Sequence, residues 1–452
     1  MRKNLFLLAT AALVVSCSNT DSFKEVVTPD VEIGFSTFTS KQTRATADEA
    51  SENNGNTTVN NLEAYNTTFK VWGSKFIGTA ETRVFGTNGK GDVVSWASAT
   101  NWTYSPVRFW DKSATSYSFY AASPSKHNWV WDNDNKTIKL VDFTVSGTNR
   151  VTTADANGTA AFNVSTTIAT DAIMSKDDED LMISNDVTDY KTYTSDNVNL
   201  HFNHILSRLN IGVRKAAILD DFEVRLKSIM VYNMKSNGTF DEHQNAAVAT
   251  GTTARWIAPT TQAKFTDGVG YKFENSTDYL LVTSSVSDQT ANYQYVYQGL
   301  VIPQEVAYNP TVEANSTDQN GFKLDGSNKS ADSNPYIVIK YEIWTEEGTY
   351  TAEEATAYNT ENHLQSTDEG YKTAGDTKAP EKMDGYEYYY NLADVFNDEA
   401  VTAVSFCEGW QNTLKITLAP VAINFDADVY EWTTKQNVDA YVTEQPANQT
   451  NP

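Results

Sequence analysis

Leu200-His201-Phe202-Asn203-His204-Ile205-Leu206-Ser207-Arg208-Leu209-Asn210-Ile211-Gly212-Val213 is the stretch that decides the fold. Leu200, Phe202, His204 and Leu206 share one face of an extended chain, and Leu209, Ile211 and Val213 continue on the other parity. Side chains of a strand alternate between faces, so this change of frame predicts a bulge or a bend between two sheets. Similar stripes lie on either side. Val31, Ile33 and Phe35 form one, Tyr117, Phe119 and Ala121 another that stops at Pro124, and Ile337, Ile339, Tyr341 and Ile343 a third. Turn-rich stretches at 53–56, 87–91, 325–328 and 375–376 separate them. Helical passages are short, at 352–358 and 391–396. The reading is all-β, built from antiparallel sandwiches.

The palette agrees. Of 452 residues, 24 are Tyr, 20 Phe and 10 Trp, a composition suited to strands rather than helices. The length calls for two domains. No Pro- or Gly-rich linker marks the junction, which is placed near 215–221, giving domains 45–217 and 218–452. A formal net charge of −24 repels a phosphate backbone and an anionic lipid surface alike, so no nucleic-acid partner is expected. Two cysteines, Cys17 and Cys407, exclude a disulfide framework.

Residues 1–16 read as an export leader. Arg2 and Lys3 precede the apolar run 5–15, which is too short to cross a bilayer comfortably. The run ends in Val14-Val15-Ser16-Cys17, which resembles the lipobox of bacterial lipoproteins, with Cys17 as the acylated residue. The expected address is the outer membrane, through a lipid anchor.

Signatures of catalysis are missing. The sequence has no G-x-S-x-G elbow, no H-E-x-x-H and no phosphate-cradling glycine loop. His201 and His204 are three apart and point to opposite faces of a strand, so they do not share a metal, and His204 reads as a packed core residue. Asp132-Asn133-Asp134-Asn135 opens like a calcium loop but has Thr137 and Phe143 where the turn glycine and the bidentate acid belong. Asp177-Asp178-Glu179-Asp180 reads as a solvated acidic loop. Trp129 and Trp131 share a strand face and suit either a core or a sugar platform, and Cys407 reads as a small buried hydrophobe. No catalytic residue, metal site or cofactor is assigned.

The ordered set of features resembles the fimbrillins, subunits of the type V pili of Gram-negative anaerobes. The features are Cys17, the strand 33–38 with Thr43-Arg44-Ala45 beyond it, Phe69-Lys70-Val71-Trp72, Phe109-Trp110, the block 117–124, the central block 200–209, Gly299-Leu300-Val301-Ile302-Pro303-Gln304, 416–425 and Val429-Tyr430-Glu431-Trp432. The resemblance implies two tandem transthyretin-like β-sandwich domains behind a lipoprotein signal peptide. It also implies a propeptide, 17–44, that carries the first strand and is removed by a trypsin-like protease. Arg44 matches the cleavage position, with Ala45 as the new amino terminus and Lys41 as a competing cut. The vacated groove then takes a strand from another fimbrial subunit.

Two segments have the pattern such an exchange needs. Val31, Ile33 and Phe35 make the first strand, and Val421, Ile423, Phe425, Ala427 and Val429 make a longer stripe within the candidate donor 421–432. Pro420 sets that stripe apart from Ile416 and Leu418, whose parity is opposite. Alternatively 421–429 is the last strand of its own domain, with 437–443 as the donated piece. The functional expectation is a non-enzymatic fimbrial subunit for adhesion or biofilm formation, in a stalk, tip or anchor position. The competing expectation is a surface glycan-binding outer-membrane lipoprotein.

Overall fold

The computed structural model describes residues 30–39, 62, 66–97, 101–150, 153–154, 160–161, 179–184, 186–190, 197–243, 255–257, 264–265, 267–272, 279–287, 293–307, 335–395, 403–420 and 424–431. Strands dominate these residues, and the fold is a β-sandwich architecture.

Alternation builds the first sheet. Its order is Phe35–Thr39, Val198–His204, Met182–Ser184, Ser116–Ser123, Thr68–Ile77, Asp92–Ala97 and Asn101–Thr103. Val187–Tyr190 pairs with Ser116–Ser123, and Ala80–Phe85 pairs with Thr68–Ile77. Phe69 and Val71, Tyr117, Phe119 and Ala121, and Val198, Leu200 and Phe202 all turn to one side and form a single core with Ile33 and Phe35. The sheet curls around that core until its ends meet, where the Trp102 indole N–H donates to Thr37 Oγ1 at 3.0 Å.

The second sandwich faces the sheet Gln294–Val301, Ser207–Lys215, Trp410–Leu418 and Asn424–Glu431 against Val269–Lys272, Phe222–Tyr232, Tyr336–Thr345 and Lys382–Asn391. Leu209, Ile211 and Val213 meet Ile337, Ile339, Tyr341 and Ile343 in its core. Expected helices occur at Ala352–Glu361 and Leu392–Val395. The longer one starts at a capping box in which Thr351 and Glu354 each satisfy the other's backbone N–H.

The frame change in the central block is a change of sheet. Val198–His204 pairs in the first sheet and Ser207–Lys215 in the second sandwich, so the chain crosses at Ile205-Leu206, ahead of the 217/218 division read from the sequence. Nor is the division clean. A third sheet joins Trp129–Asp132 and Thr137–Thr144 to Asn237–Asp241 and Trp256–Ile257, mixing both halves of the chain. Its Leu140, Phe143, Phe240 and Trp256 pack on Trp72 and Ala122 from the outer face of the first sheet.

Two ladders between strands among the described residues depart from the antiparallel expectation. Phe35–Thr39 runs parallel to Val198–His204, and Ser207–Lys215 runs parallel to Trp410–Leu418. Both join strands far apart in sequence, where the intervening chain is long enough to bring the second strand back in the same direction.

Candidate functional site at the first-strand seam

The amino-terminal strand is held from both sides. Upstream, Ile33 N–H donates to Arg108 O and Trp110 N–H donates to Val31 O, each at 2.9 Å, flanking an antiparallel bridge between Glu32 and Phe109. Downstream, Val198 N–H donates to Gly34 O at 2.8 Å, and the parallel register then runs from Phe35 opposite Val198 to Thr39 opposite Phe202. The segment therefore switches partners at Gly34 and fills a slot between two backbones.

Its side chains complete the core. Ile33 is 1 % and Phe35 2 % exposed, and the half-buried Val31 packs on the same cluster. The Phe35 ring stands edge-on to Phe69, Phe85, Tyr104 and Phe119, with centroids 5.5 to 6.0 Å away. Such edge-to-face pairs add to the gain from burial. Thr37 is also buried and accepts the Trp102 bond. On the rim, Asn197 Nδ2 donates to Ser36 Oγ at 3.1 Å.

A strut over residues 104–111 supports the seam. The Tyr104 hydroxyl donates to Ile33 O at 2.6 Å, and burial pushes its pKa up, so it stays a donor. The Arg108 guanidinium lies 4.6 Å over Phe85, donates through Nε to Val84 O at 2.7 Å and pairs with Asp92 at 2.8 Å. Lys75, 2.6 Å from Asp111, holds that carboxyl well below its usual range. No periodic stripe in the sequence marks this strut, since each contact is a single side chain on irregular backbone.

The remaining predicted residues divide by position. Val31, Ile33 and Phe35 lie together in the seam. Cys17, Arg44, Ala45, Val421, Ile423 and the 437–443 segment lie outside the described residues. Phe425, Ala427 and Val429 fall in Asn424–Glu431, which pairs antiparallel with Trp410–Leu418, setting Phe425 opposite Ile416, Ala427 opposite Leu414 and Val429 opposite Asn412. The chain thus reverses around Pro420 and stays in one sheet.

Other readings meet their neighbours here. Trp129 is fully buried, with its indole N–H on Pro124 O at 2.8 Å, and Trp131 lies beneath the Arg83 guanidinium at 4.2 Å. Neither presents a free ring to a sugar. Cys407 is buried, which pushes its thiol up to about 11. The acidic run is not wholly solvated. Asp180 is completely buried and meets His204 Nδ1 at 3.0 Å, while Glu179 pairs with Arg150, so these acids belong to the structure. Among the described residues no cluster of His, Cys, Asp or Glu has the arrangement of a metal site, and no helix is long and apolar enough to cross a membrane.

No family model matches the sequence, and no curated protein matches it. Among solved structures the chain is similar to a fimbrial protein from Bacteroides vulgatus at 14 % identity, covering 89 % of this chain and 99 % of that one with a TM-score of 0.44. It is also similar to a candidate cell adhesion protein from Bacteroides uniformis, at 13 % identity over 89 % of this chain and 98 % of that one with a TM-score of 0.39. A third is the tip fimbrial protein Mfa3 from Porphyromonas gingivalis with C-terminal truncation, at 9 % identity over 89 % and 100 % with a TM-score of 0.30. Those three structures are a fimbrial protein, a candidate cell adhesion protein and a tip fimbrial protein, and the likeness is one of fold.

Proposed function

We propose that this protein is a non-enzymatic structural subunit of cell-surface fimbriae. In this reading it is exported, acylated at Cys17 and held at the outer membrane, then cut after Arg44 by a trypsin-like protease. The cut frees the segment that carries Ile33 and Phe35, and a strand from another subunit takes its place.

The observation that carries the reading is the seam. An amino-terminal segment, which most domains leave loosely ordered, is here built into the middle of an aromatic core and bonded on both sides. It is also the last strand at its end of the sheet, and its connection to the rest of the domain runs through the Lys41 and Arg44 region. Taking it away opens a slot lined by Phe69, Phe85, Tyr104 and Phe119. Exposed apolar surface of that kind demands a new occupant, and backbone edges on both sides select an extended strand.

Amino-terminal sequencing of the surface-shed protein, combined with a non-boiled gel, tests this. The expected result is a ladder of multimers beginning at Ala45. A single acylated monomer that keeps residues 17–44 overturns it.

A further inference from the structure

The parallel pair Ser207–Lys215 and Trp410–Leu418 runs in register from Arg208 opposite Gln411 to Lys215 opposite Leu418. Backbone bonds extend it past both ends, from Gly409 N–H to Leu206 O and from Ala216 N–H to Leu418 O, each at 2.9 Å. Five side-chain hydrogen bonds join the same two strands. Asn210 Nδ2 donates to Thr413 Oγ1 and Arg214 Nε to Thr417 Oγ1, each at 3.1 Å. Asn412 Nδ2 donates to Ser207 Oγ at 2.8 Å and to Arg208 O at 3.2 Å, and Ser207 Oγ donates to Trp410 O at 3.2 Å. Ser207, Asn210, Asn412 and Thr413 are each 1 % exposed or less, so water does not compete for these bonds.

Fold stability alone does not favour Asn412. It shares the parity of Leu414, Ile416 and Leu418, which line the core, and its Oδ1 is buried without a hydrogen-bond partner. An apolar side chain there would fill the space and leave no orphaned acceptor. What the amide adds is direction. Its two bonds hold only while the strands keep one register, whereas apolar contacts tolerate sliding.

The topology determines which force makes these strands slide. The chain arrives from the first sandwich at Ser207, and Leu418 lies at the opposite end of the ladder. A pull between the first sandwich and Leu418 therefore drives the two strands lengthwise past each other. Every rung is loaded together, and none yields before the whole ladder slips. The last strand is arranged differently. Asn424–Glu431 is antiparallel to Trp410–Leu418, with Glu431 opposite Trp410. A pull on the chain beyond Glu431 opens that ladder one pair at a time.

We propose that Ser207–Lys215 and Trp410–Leu418 form a tension-bearing clamp, in which buried polar rungs lock the register against a lengthwise pull. The clamp belongs to the single uncut chain and goes beyond the fimbrial reading, since it needs neither cleavage nor strand exchange.

Single-molecule pulling on the full chain carrying Cys17→Ser tests this. One tether is the carboxyl terminus. The other is a thiol at an exposed position, either His201→Cys, just ahead of the crossing, or Ile218→Cys, just past Lys215. The first geometry loads the ladder lengthwise, and the second opens it from the Leu418 end. In either geometry the event is recognised by a length gain of about 70 nm, the reach of the chain between Ser207 and Leu418. The expected rupture force is several-fold higher in the first geometry. Equal forces in the two overturn the clamp.

Two variants separate register locking from stability, because resistance to force follows the unfolding barrier rather than the equilibrium. Asn412→Leu and Thr417→Val are each expected to keep or raise the thermal midpoint and to lower the lengthwise rupture force. The opening force from Ile218→Cys is expected to stay the same. Where Asn412→Leu melts below the parent, Thr417→Val decides. A lengthwise force that is unchanged, or that falls only together with the midpoint, overturns the role of the rungs.

Discussion

Phe35 shows how much of the seam rests on one side chain. Its ring is enclosed by four others, so Phe35→Ala leaves a cavity in a core that cannot collapse around it. A loss of about 3–5 kcal/mol is expected, read as a lower denaturation midpoint of the uncut chain. Glu242 gives a prediction of a different kind. Burial and the nearby Asp186 raise its carboxyl to about 7, although Ile138 N–H donates to it at 2.7 Å. A carboxyl with a raised folded pKa binds its proton more tightly in the fold than in the unfolded chain. Stability contributed by protonation is therefore complete below the unfolded value, near 4.5, and disappears as pH rises through about 7. Glu242→Gln is expected to melt higher than the parent at pH 8, by at most about 3 kcal/mol of stability, and to match it near pH 4.5. Thermal melts at the two pH values check the sign. Ile33 and Phe35 were legible because alternation marks a buried face. Tyr104, Arg108 and the buried Asp180–His204 pair were not, because each is a single long-range contact that leaves no period in the sequence.

Elements were legible in proportion to their regularity. Ser116–Ser123 and Tyr336–Thr345 follow apolar stripes, and the helix expected at 352–358 occurs at Ala352–Glu361. Which strand lies beside which was not legible. Phe35–Thr39 pairs with a strand more than 150 residues away, and in a direction that no local signal encodes. The frame change at 200–213 was visible, but its meaning as a change of sheet needed the partners on each side. The helix that starts at Thr351 stands in an excursion closed by the short pairing of Gly348–Thr349 with Thr377–Lys378. Thr351→Ala removes one half of its capping box and is expected to cost about 1 kcal/mol. Hydrogen exchange should quicken in Ala352–Glu361 while the seam around Phe35 keeps its protection.

At the scale of the molecule, the third sheet decides how the two sandwiches behave. Thr137–Thr144 belongs to the first half of the chain and Asn237–Asp241 to the second, yet they share a ladder and a core. Calorimetry of the intact chain is expected to show one transition, with Trp256→Ala lowering it as a whole. Two separate transitions would mean that the shared layer does not couple the halves. A fragment ending at 217 would lose the partners of Ile138, Leu140 and Phe143, which explains why a boundary drawn from sequence spacing alone could not be sharp.

The meeting of the sheet's two ends has a practical consequence as well. The indole of Trp102 is nearly buried and hydrogen-bonded to the strand that fills the seam. Its emission colour depends on that shelter. Removal of the strand that fills the seam is therefore expected to bare this indole and shift the chain's tryptophan emission to the red, an optical gauge of the strand exchange proposed above.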